Sequence, residues 1–420
     1  MGRVGKLARM TGMALDVAEF DPPPSVGDRL VFGIAPVAEI IGFADGRAQA
    51  VAFGPLEGLA PGAVARLLPS SGLAVSDGWL GRVLDPLGQP LDGGPAPPPG
   101  ARIRSTRAAP PAAGTRARLG PKLDLGVRAM DLFAPCREGQ RLGLFAASGV
   151  GKSSLLSMLA SAAADVVVFG LVGERGRELR EFIEDDLGPD AMARACIICA
   201  TSDTAPAMRR EAAHAAMTVA EHFRDQGRRV LLLIDSVTRF AMAQREIGLA
   251  AGEPPATRGH PPSVFAELPR LLERAGPGPE GCAGSITGLF TVLVEGDDHD
   301  EPIADAVRGI LDGHVVLDRR IGEAGRYPAV DVLRSLSRTA PGCLAPEDRP
   351  LVREARAVLA LANELTDLVR LGAFRPGADP AADRALALAP RIEAVLTQPK
   401  GERATSAEAF AALADALHGA

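Results

Sequence analysis

Hydrophobic and polar residues alternate in short runs over residues 4 to about 75, where no helical periodicity is present. The clearest runs are Ala14–Phe20, Arg29–Ile34 and Gln49–Phe53, separated by turns that contain Pro and Gly. Alternation with a period of two is typical of strands that have one buried and one exposed face. Several short strands joined by such turns predict a small closed β-barrel at the N-terminus.

The pattern changes at about residue 120, where uniformly apolar runs alternate with helical stretches. A strand that is apolar at every position is buried on both faces, and helices between such strands provide the cover. This region is therefore predicted to form a largely parallel, covered sheet. The apolar runs are Leu142–Ala146, Val166–Val172, Ala195–Ala200, Val230–Ile234, Ile286–Val294 and His314–Leu317.

Beyond residue 345 the chain has helical periodicity, clearest in Arg353–Leu371 and Ala381–Leu396, with Pro376 and Pro380 between them. Residues 94–116 are too rich in proline for a helix and are predicted to form an extended linker or hinge. We expect an α/β protein with three domains. They are an N-terminal β-barrel domain (1–75), a core that includes the linker (76–340) and a C-terminal helical domain (341–420).

Composition narrows the classes of protein to which the chain can belong. Its 420 residues, 47% of them hydrophobic, are enough for several domains with sizeable cores. The formal net charge is −6 and no run of Lys or Arg stands out, which argues against nucleic-acid binding through a basic face. No apolar stretch approaches the roughly 18 residues of a membrane helix, and no signal peptide is evident, so we expect a soluble protein.

The five cysteines are scattered and odd in number, which does not suggest a disulfide framework and fits a reducing cytosol. Cys196 and Cys199 form a CxxC pair within an apolar run. Because no second pair with zinc spacing exists, we interpret this pair as part of a buried strand and not as a redox or metal site.

A phosphate-binding loop is the strongest chemical signal in the chain. The run Ala146–Ser153 follows the strand Leu142–Ala146 and precedes a predicted helix, Ser154–Ala164. In such a loop the glycines let backbone N–H groups face the phosphates, and the helix adds the positive end of its dipole. The alternative is a Gly-rich turn with an incidental lysine, and the strand and helix on either side argue against it.

Each residue of this loop has an expected role. Lys152 should reach the β- and γ-phosphates of ATP, and the Ser153 hydroxyl should ligate Mg²⁺. Ala146 stands at the first motif position in place of Gly. The residues predicted to contact the nucleotide are Ser148, Gly149, Val150, Gly151, Lys152, Ser153 and Ser154.

A carboxylate ends the apolar strand Val230–Ile234. In an open α/β sheet, ligands bind at the carboxyl ends of strands, so Asp235 could face the magnesium ion. The alternative is that Asp235-Ser236 only caps the next helix. A phosphate loop some eighty residues upstream favours the magnesium role.

The strand Val166–Val172 ends in a charged stretch, Gly173–Glu178. A carboxylate at this position could orient and polarise the attacking water, because phosphoryl transfer depends mostly on positioning and electrostatics. Glu174 is our candidate for that role. The alternative is that Glu174 is only one of the charged, solvated residues at the start of a helix.

Several segments together resemble the type III secretion branch of the rotary ATPase family. Within that branch, Gly325–Leu333 and Leu371–Phe374 are similar to the flagellar protein-export ATPases. The resemblance covers residues 76 to about 400 and implies a RecA-like P-loop NTPase core between a β-barrel and a helical domain. The other segments that carry it are Gly173–Glu178, Leu233–Arg239, Pro254–Gly259, Val294–Asp305 and Ile310–His314.

The resemblance implies further roles for particular residues. Glu174 matches the catalytic glutamate of the family, and Arg175 and Glu178 would order the nucleotide pocket and the metal-bound waters. Tyr327, the only tyrosine in the chain, stands where the family stacks an aromatic ring on adenine. Arg338 stands at the arginine finger that enters the neighbouring subunit's pocket; without the family it would be an ordinary surface arginine.

Three positions depart from the family pattern. Ala147 stands where relatives usually carry Gly, and His260 replaces a usual tyrosine, for which we assign no role. The barrel-like pattern begins by Val4, so we expect the N-terminal amphipathic helix that docks the stator partner to be absent or shortened.

The resemblance implies Mg-dependent ATP hydrolysis that energises flagellar protein export. The implied partners are a homohexameric ring, a central stalk protein, a peripheral stator, export chaperone–substrate complexes and the export gate. The implied location is cytoplasmic, peripheral to the inner-membrane export apparatus. The alternatives are an injectisome ATPase with other cargo, a hexameric RNA translocase, disfavoured by acidic charge and 4% aromatic residues, and a non-hydrolysing subunit of a mixed ring.

Overall fold

The computed structural model describes residues 3–33, 37–68, 71–294 and 301–419. The N-terminal region is a closed antiparallel barrel, as predicted, with strand order β1-β2-β5-β4-β3-β6. Inward-facing residues such as Leu7, Val17 and Ile40 are buried. The predicted end of the third strand at Ile34 lies outside the described residues. The strands are β1 Val4–Thr11, β2 Ala14–Ala18, β3 Arg29–Phe32, β4 Val37–Ala44, β5 Arg47–Ala52 and β6 Val64–Leu67.

The central sheet has the strand order β19-β18-β12-β17-β15-β13-β14-β8. Its pairings are parallel except at one edge, where β18 and β19 run antiparallel. The strands of this path are β8 Arg82–Leu84, β12 Arg141–Ala146, β13 Val166–Glu174, β14 Ala195–Thr201, β15 Arg229–Asp235, β17 Ser285–Leu293, β18 Gly313–Leu317 and β19 Val330–Ser337.

Five short strands form smaller pairings. The strand β16 (Gly276–Pro277) pairs antiparallel with β17. Two separate two-stranded sheets join β7 to β9 and β10 to β11. Their bounds are β7 Gly72–Leu73, β9 Arg104–Ser105, β10 Lys122–Leu123 and β11 Cys136–Arg137.

Helices cover both faces of the central sheet, which explains why its inner strands, such as β13, are apolar along almost their whole length. Along β13, Val167 and Phe169 pack into one hydrophobic cluster, and Val166 and Val168 pack into the other. The covered, largely parallel sheet is therefore confirmed. The helices of this region are α1 Arg128–Phe133, α2 Lys152–Leu159, α3 Gly176–Glu181, α4 Gly188–Ala193, α5 Pro206–Asp225, α6 Val237–Ala250, α7 Pro262–Leu272, α8 Pro302–Ile310, α9 Arg319–Glu323 and α10 Ala340–Cys343.

The helix after the phosphate loop is shorter than predicted, because α2 ends at Leu159 and not at Ala164. The guanidinium of Arg194 donates hydrogen bonds to the carbonyls of Ala160, Ala162 and Ala164. These carbonyls therefore find a side-chain partner where the chain leaves the helix. Alanine-rich sequence alone could not reveal this contact.

The C-terminal region is helical, with α11 Asp348–Arg370, α12 Pro380–Leu396 and α13 Ser406–His418. The Asp379 side chain caps α12 by accepting hydrogen bonds from the N–H groups of Ala381 and Ala382. The first helix begins five residues before its predicted start at Arg353, and α13 was not predicted. No helix in the described residues has both the length and the apolar character needed to cross a membrane.

The Pro-rich segment 94–116 has little regular structure but is attached to the core along its length. Arg104 pairs with Asp225 at 2.7 Å, and Arg116 donates to the Ala275 carbonyl at 3.1 Å. Arg107 lies within 3.3 Å of Glu39 on the barrel. The segment therefore bridges the barrel and the core.

Cys196 and Cys199 lie in β14 and are buried. Burial raises the pKa of both thiols, and the pKa of Cys199 rises to about 12. The pair therefore occupies a buried strand, as the apolar pattern predicts.

Candidate functional site

The loop between β12 and α2 exposes backbone donors at the carboxyl edge of the sheet. Gly149 and Gly151 adopt φ angles of 79° and 84°, the left-handed region that glycine tolerates best. No side chain caps α2 at Gly151. The N–H groups of its first turn therefore lack intrahelical acceptors and suit an anion. Val150 is buried and anchors the loop, whereas Ser148, Ser153 and Ser154 are exposed.

Lys152 lies between the two carboxylates that end neighbouring strands. Its ammonium donates a hydrogen bond to Asp235 Oδ1 and lies 3.5 Å from Glu174 Oε1. Burial opposes the charge on Lys152, but the two carboxylates outweigh it, and its pKa is raised. The structure thus brings together three residues that the sequence separates by up to eighty-three positions.

Asp235 is the last residue of β15 and is only 5% exposed. Its Oδ1 also accepts a hydrogen bond from Thr291 Oγ1 at 2.6 Å. The N-cap of the following helix is Ser236, whose hydroxyl accepts from the Arg239 N–H at 3.2 Å. The capping role that was the alternative for Asp235 therefore belongs to its neighbour, and the carboxylate faces the loop.

Glu174 ends β13 beside the same lysine. Burial raises the pKa of its carboxyl, the nearby Asp235 adds to this, and Lys152 opposes it. A partly buried carboxylate with a raised pKa is a better proton acceptor than an exposed one. Arg239 packs against the preceding Gly173, and its Nε is buried with no hydrogen-bond partner among the described residues.

Arg175 and Glu178 lie outside this cluster. They pair with each other at 3.3 Å, and the Arg175 side chain is 80% exposed. Among the described contacts, neither side chain bonds to Lys152 or Asp235. The charge of Glu178 nevertheless contributes to the raised pKa of Glu174.

Tyr327 lies against the phosphate loop. A Cβ added at Gly151 would be 3.2 Å from Cε1 of the tyrosine ring. The ring is 47% exposed, so one part remains accessible for stacking. Arg319 of α9 also reaches the loop and donates to the Ser148 carbonyl at 3.3 Å.

Arg338 lies just beyond β19, away from these contacts. Its backbone N–H donates to the Asp312 carbonyl at 3.0 Å. Its exposed side chain makes no hydrogen bond or ion pair with any residue of the described ranges. The structure therefore does not bring Arg338 to the phosphate loop of its own chain.

Three further sequence features can be located. Ala147 is buried, and the loop accommodates it. His260 is buried, its Nδ1 has no hydrogen-bond partner within the described ranges, and burial together with Arg245 lowers its pKa. In the acidic segment Val294–Asp305, residues 295–300 lie outside the described residues.

Sequence reasoning missed Thr291, Arg319 and the packing of Arg239. Thr291 is a polar residue inside a strand buried on both faces, and that mismatch is the signal that could have identified it. Arg319 follows a strand without any distinguishing pattern. Its contact with the loop depends on the path of the chain through α9.

The donor set fits a magnesium ion bound together with a nucleotide. The Ser153 hydroxyl and the Asp235 carboxylate are oxygen ligands, and both hydrogen bonds of that carboxylate go to Oδ1. Within the described ranges, no cluster of three or more His, Cys, Asp or Glu side chains could hold a metal. Mg²⁺ usually needs only one or two carboxylates when phosphates and waters complete its shell.

A covered parallel sheet, a glycine loop entering a helix, and a lysine beside two strand-end carboxylates define a P-loop nucleotide-binding ATPase. Residues 126–337 match the model of the ATP synthase alpha/beta family, nucleotide-binding domain, and residues 344–415 match that of the T3SS EscN ATPase C-terminal domain. The chain therefore belongs to the ATP synthase alpha/beta family, in the branch of the flagellar and type III secretion ATPases.

Relatives from both kinds of secretion system are similar to the chain. The flagellum-specific ATP synthase of Caulobacter vibrioides is 51% identical over 98% of this chain and 95% of its own length. The flagellum-specific ATP synthase of Salmonella typhimurium is 46% identical over 98% and 93%. The type 3 secretion system ATPase of Xanthomonas euvesicatoria is 48% identical over 86% and 81%.

Solved structures show the same fold. The assembled ATPase EscN from the type III secretion system of enteropathogenic E. coli has a TM-score of 0.92, with 37% identity over 98% of this chain and all of the other. EscN in complex with its central stalk EscO has a TM-score of 0.90, with 36% identity over 98% and all of the other. The predicted fold class, a RecA-like core between a barrel and a helical domain, is confirmed.

Proposed function

We propose that this chain hydrolyses Mg-ATP at the Lys152 site and thereby energises protein export by a flagellar type III secretion apparatus. The observation that carries the proposal is the contact of the largely buried Lys152 ammonium with Asp235 and Glu174. A lysine held by two carboxylates at the mouth of an anion-binding loop is ready to exchange these partners for a phosphate. The family membership supports the same reaction.

The exchange explains how nucleotide binding prepares the site. When a triphosphate enters the loop, its γ-phosphate competes with the carboxylates for the Lys152 ammonium. Asp235 and Glu174 are then released from the lysine. Glu174, whose pKa is raised by burial, can accept a hydrogen bond from the attacking water and orient it in line with the γ-phosphate.

Magnesium, when bound with ATP, would balance the charge on the phosphate oxygens. Ser153 and Asp235 are the residues that would hold it, and Glu178 would order its outer waters. Thr291 keeps the Asp235 carboxylate in place through its 2.6 Å hydrogen bond. Tyr327, next to Gly151, would stack on the adenine base.

Arg338 would act in the pocket of a neighbouring copy of the chain. Its exposed guanidinium has no partner in the described part of its own chain, although transition-state charge at a phosphoryl group calls for such a cation. A homohexameric ring would give the Arg338 guanidinium a partner and would give each pocket the cation that it needs. The chain is similar to the assembled ATPase EscN, both alone and in complex with its central stalk. This similarity supports a ring around a stalk protein.

The remaining partners belong to the same proposal. We infer a stator at the periphery, export chaperone–substrate complexes as cargo, and a peripheral position at the export gate of the inner membrane.

The test is the ATPase rate as a function of protein concentration. The wild-type rate per subunit should rise steeply with concentration, because each pocket needs its neighbour's arginine. Arg338→Ala should lower kcat by about 10³-fold or more. Arg334→Ala removes an exposed arginine of β19, four residues before Arg338, and should leave kcat unchanged. A flat concentration profile with an active Arg338→Ala enzyme would refute the shared pocket.

Glu174→Gln keeps the shape of the side chain and removes its basicity. We expect nucleotide binding to persist and hydrolysis to fall by about 10²-fold or more. Wild-type turnover in this variant would remove the assignment of Glu174. No nucleotide affinity in the assembled wild-type protein would refute the proposed function itself.

An injectisome ATPase is the second candidate, because a type 3 secretion system ATPase is 48% identical to the chain and the type III secretion ATPase EscN has the same fold. Complementation distinguishes the two. The gene should restore motility to a strain that lacks its flagellar export ATPase. Rescue of effector secretion without rescue of motility would favour the injectisome.

A further inference from the structure

The turn that presents Tyr327 to the phosphate loop is held from outside the core by the C-terminal helices. We define the Tyr327 turn as residues 325–330. The backbone N–H of Gln398, which follows α12, donates to the Tyr327 carbonyl at 2.8 Å. Gln398 itself is 1% exposed and bonds through its side chain to the N–H of Arg128 and the carbonyl of Gly126.

A second connection runs through Arg326, immediately before the tyrosine. Its side chain is 8% exposed, and its Nε lies 2.5 Å from Glu393 Oε2 on α12. The same guanidinium donates to the carbonyls of Pro328 at 3.2 Å and Val330 at 2.9 Å. Arg326 therefore braces the turn from within, and Glu393 supplies its counter-charge.

The consequence of removing Glu393 follows from burial. Arg326 would keep its charge in a largely dehydrated position with no carboxylate of the described residues within ion-pair distance, which is unfavourable. Its guanidinium would move toward water and release the two carbonyls that it braces. The turn would then be held mainly by Gln398, and the tyrosine ring would no longer keep one position above Gly151.

We propose that the Arg326–Glu393 ion pair is a positioning device for Tyr327, through which the placement of α12 sets the affinity of the site for the nucleotide base. The inference rests on the proposed ATPase function and extends it. Neither residue touches the nucleotide in this scheme. Both act through the ring of Tyr327, which would make the base contact.

The scheme separates base recognition from phosphate recognition. The loop N–H groups and Lys152 bind phosphates whether or not a base is present. Only the affinity for a ligand that carries a base should depend on the ion pair. A general loss of packing would instead weaken all ligands, because the phosphate loop belongs to the same core.

The experiment is calorimetric titration of full-length protein with ADP and with inorganic pyrophosphate, each in the presence of Mg²⁺. Glu393→Gln should raise the Kd for ADP by about twofold to fivefold, the upper part of the range expected for loss of a partly exposed charge pair, and leave the Kd for pyrophosphate unchanged. KM for ATP should rise in parallel, with kcat little changed. Arg326→Met, which removes the pair from the other side, should give the same pattern.

Two controls make the result specific. Glu354→Gln removes an ion pair with Arg384 that joins α11 to α12, together with the contact of Glu354 with His418 on α13, without touching the Tyr327 turn. It should change neither constant. In a Tyr327→Ala background, Glu393→Gln should have no further effect on ADP binding, because the residue through which it acts is gone.

The possible outcomes separate the two hypotheses. Equal weakening of ADP and pyrophosphate, no change in either, or an effect that persists without Tyr327 would overturn the positioning role while leaving the ATPase function intact. Failure of the wild-type protein to bind ADP would overturn the proposed function and this inference with it.

Discussion

Asp131 is a buried carboxyl whose removal should stabilise the protein at neutral pH and above. It lies in α1, is 1% exposed, and accepts hydrogen bonds from the N–H groups of Leu125 at 3.0 Å and Gly126 at 2.9 Å. Burial raises its pKa to about 7; Asp124 adds to the shift, and Lys122 and the two N–H groups oppose it. The ionised form is therefore disfavoured in the folded state.

The sign and size of the effect follow from proton linkage. Below pH 3.8 the carboxyl is protonated in both states and carries no penalty. Between about pH 4 and 7 the unfolded chain releases its proton while the folded chain retains it, so stability falls as pH rises. About three pKa units correspond to about 4 kcal/mol, lost in full above pH 7.

Asp131→Asn removes this penalty and keeps a side chain of the same shape. An amide has one acceptor oxygen, so one of the two N–H groups loses a good partner at a cost of about 1–2 kcal/mol. We expect the variant to be more stable than wild type by about 2 kcal/mol at pH 8 and less stable near pH 4.5. Unfolding followed by calorimetry and urea titration at both pH values measures this reversal.

The control is Asp367→Asn, which changes an exposed carboxyl on α11. It should alter stability by only a small amount, because its side chain is exposed. A difference between wild type and Asp131→Asn that does not vary with pH would refute the reasoning, because it would mean that Asp131 titrates alike in the folded and unfolded states.

Three further predictions follow from other contacts. Thr291→Val removes the hydroxyl that bonds to Asp235 and should lower kcat/KM about tenfold. The control, Thr287→Val on the same strand, should affect stability only. Equal effects of the two variants on kcat/KM would contradict the role of Thr291. Cys199 should resist alkylation in the native protein, whereas the two partly exposed cysteines should react. Mass spectrometry measures the modification of each cysteine over time. Early modification of Cys199 would show that β14 opens. Asp379→Ala removes the cap of α12 and should lower the free energy of unfolding in urea by about 1 kcal/mol. Asp379→Asn should retain most of the stability that the cap provides. Equal losses in the two variants would argue against capping.

The members of the site could be predicted separately from the sequence. Each lies where an apolar run stops: Lys152 just after the loop that follows one strand, and Glu174 and Asp235 at the ends of two others. An apolar run marks a buried strand, and ligands gather at the carboxyl ends of parallel strands. These are local patterns, so a single sequence contains them. Tyr327 and Arg338 carry no such pattern, and only the family resemblance pointed to them.

The contacts among these residues could not be predicted in the same way. In the sheet, β17 and β15 lie side by side between β12 and β13. Because these two strands are neighbours, Thr291 on β17 reaches Asp235 at the end of β15. Likewise, Arg194 donates a hydrogen bond to the Ala160 carbonyl at the end of α2, although the two residues are 34 positions apart in the sequence. Such contacts depend on which distant segments the chain brings together.

The sequence by itself determined the barrel, the apolar strands, the phosphate loop and the acids at the strand ends, because hydrophobic period and glycine placement act between neighbours along the chain. The tertiary structure alone decided that one ammonium bridges two carboxylates, that the tyrosine faces Gly151, and that Arg326 is held by Glu393. These contacts arise from long-range packing, in which burial and charge select partners that have no fixed spacing in the sequence.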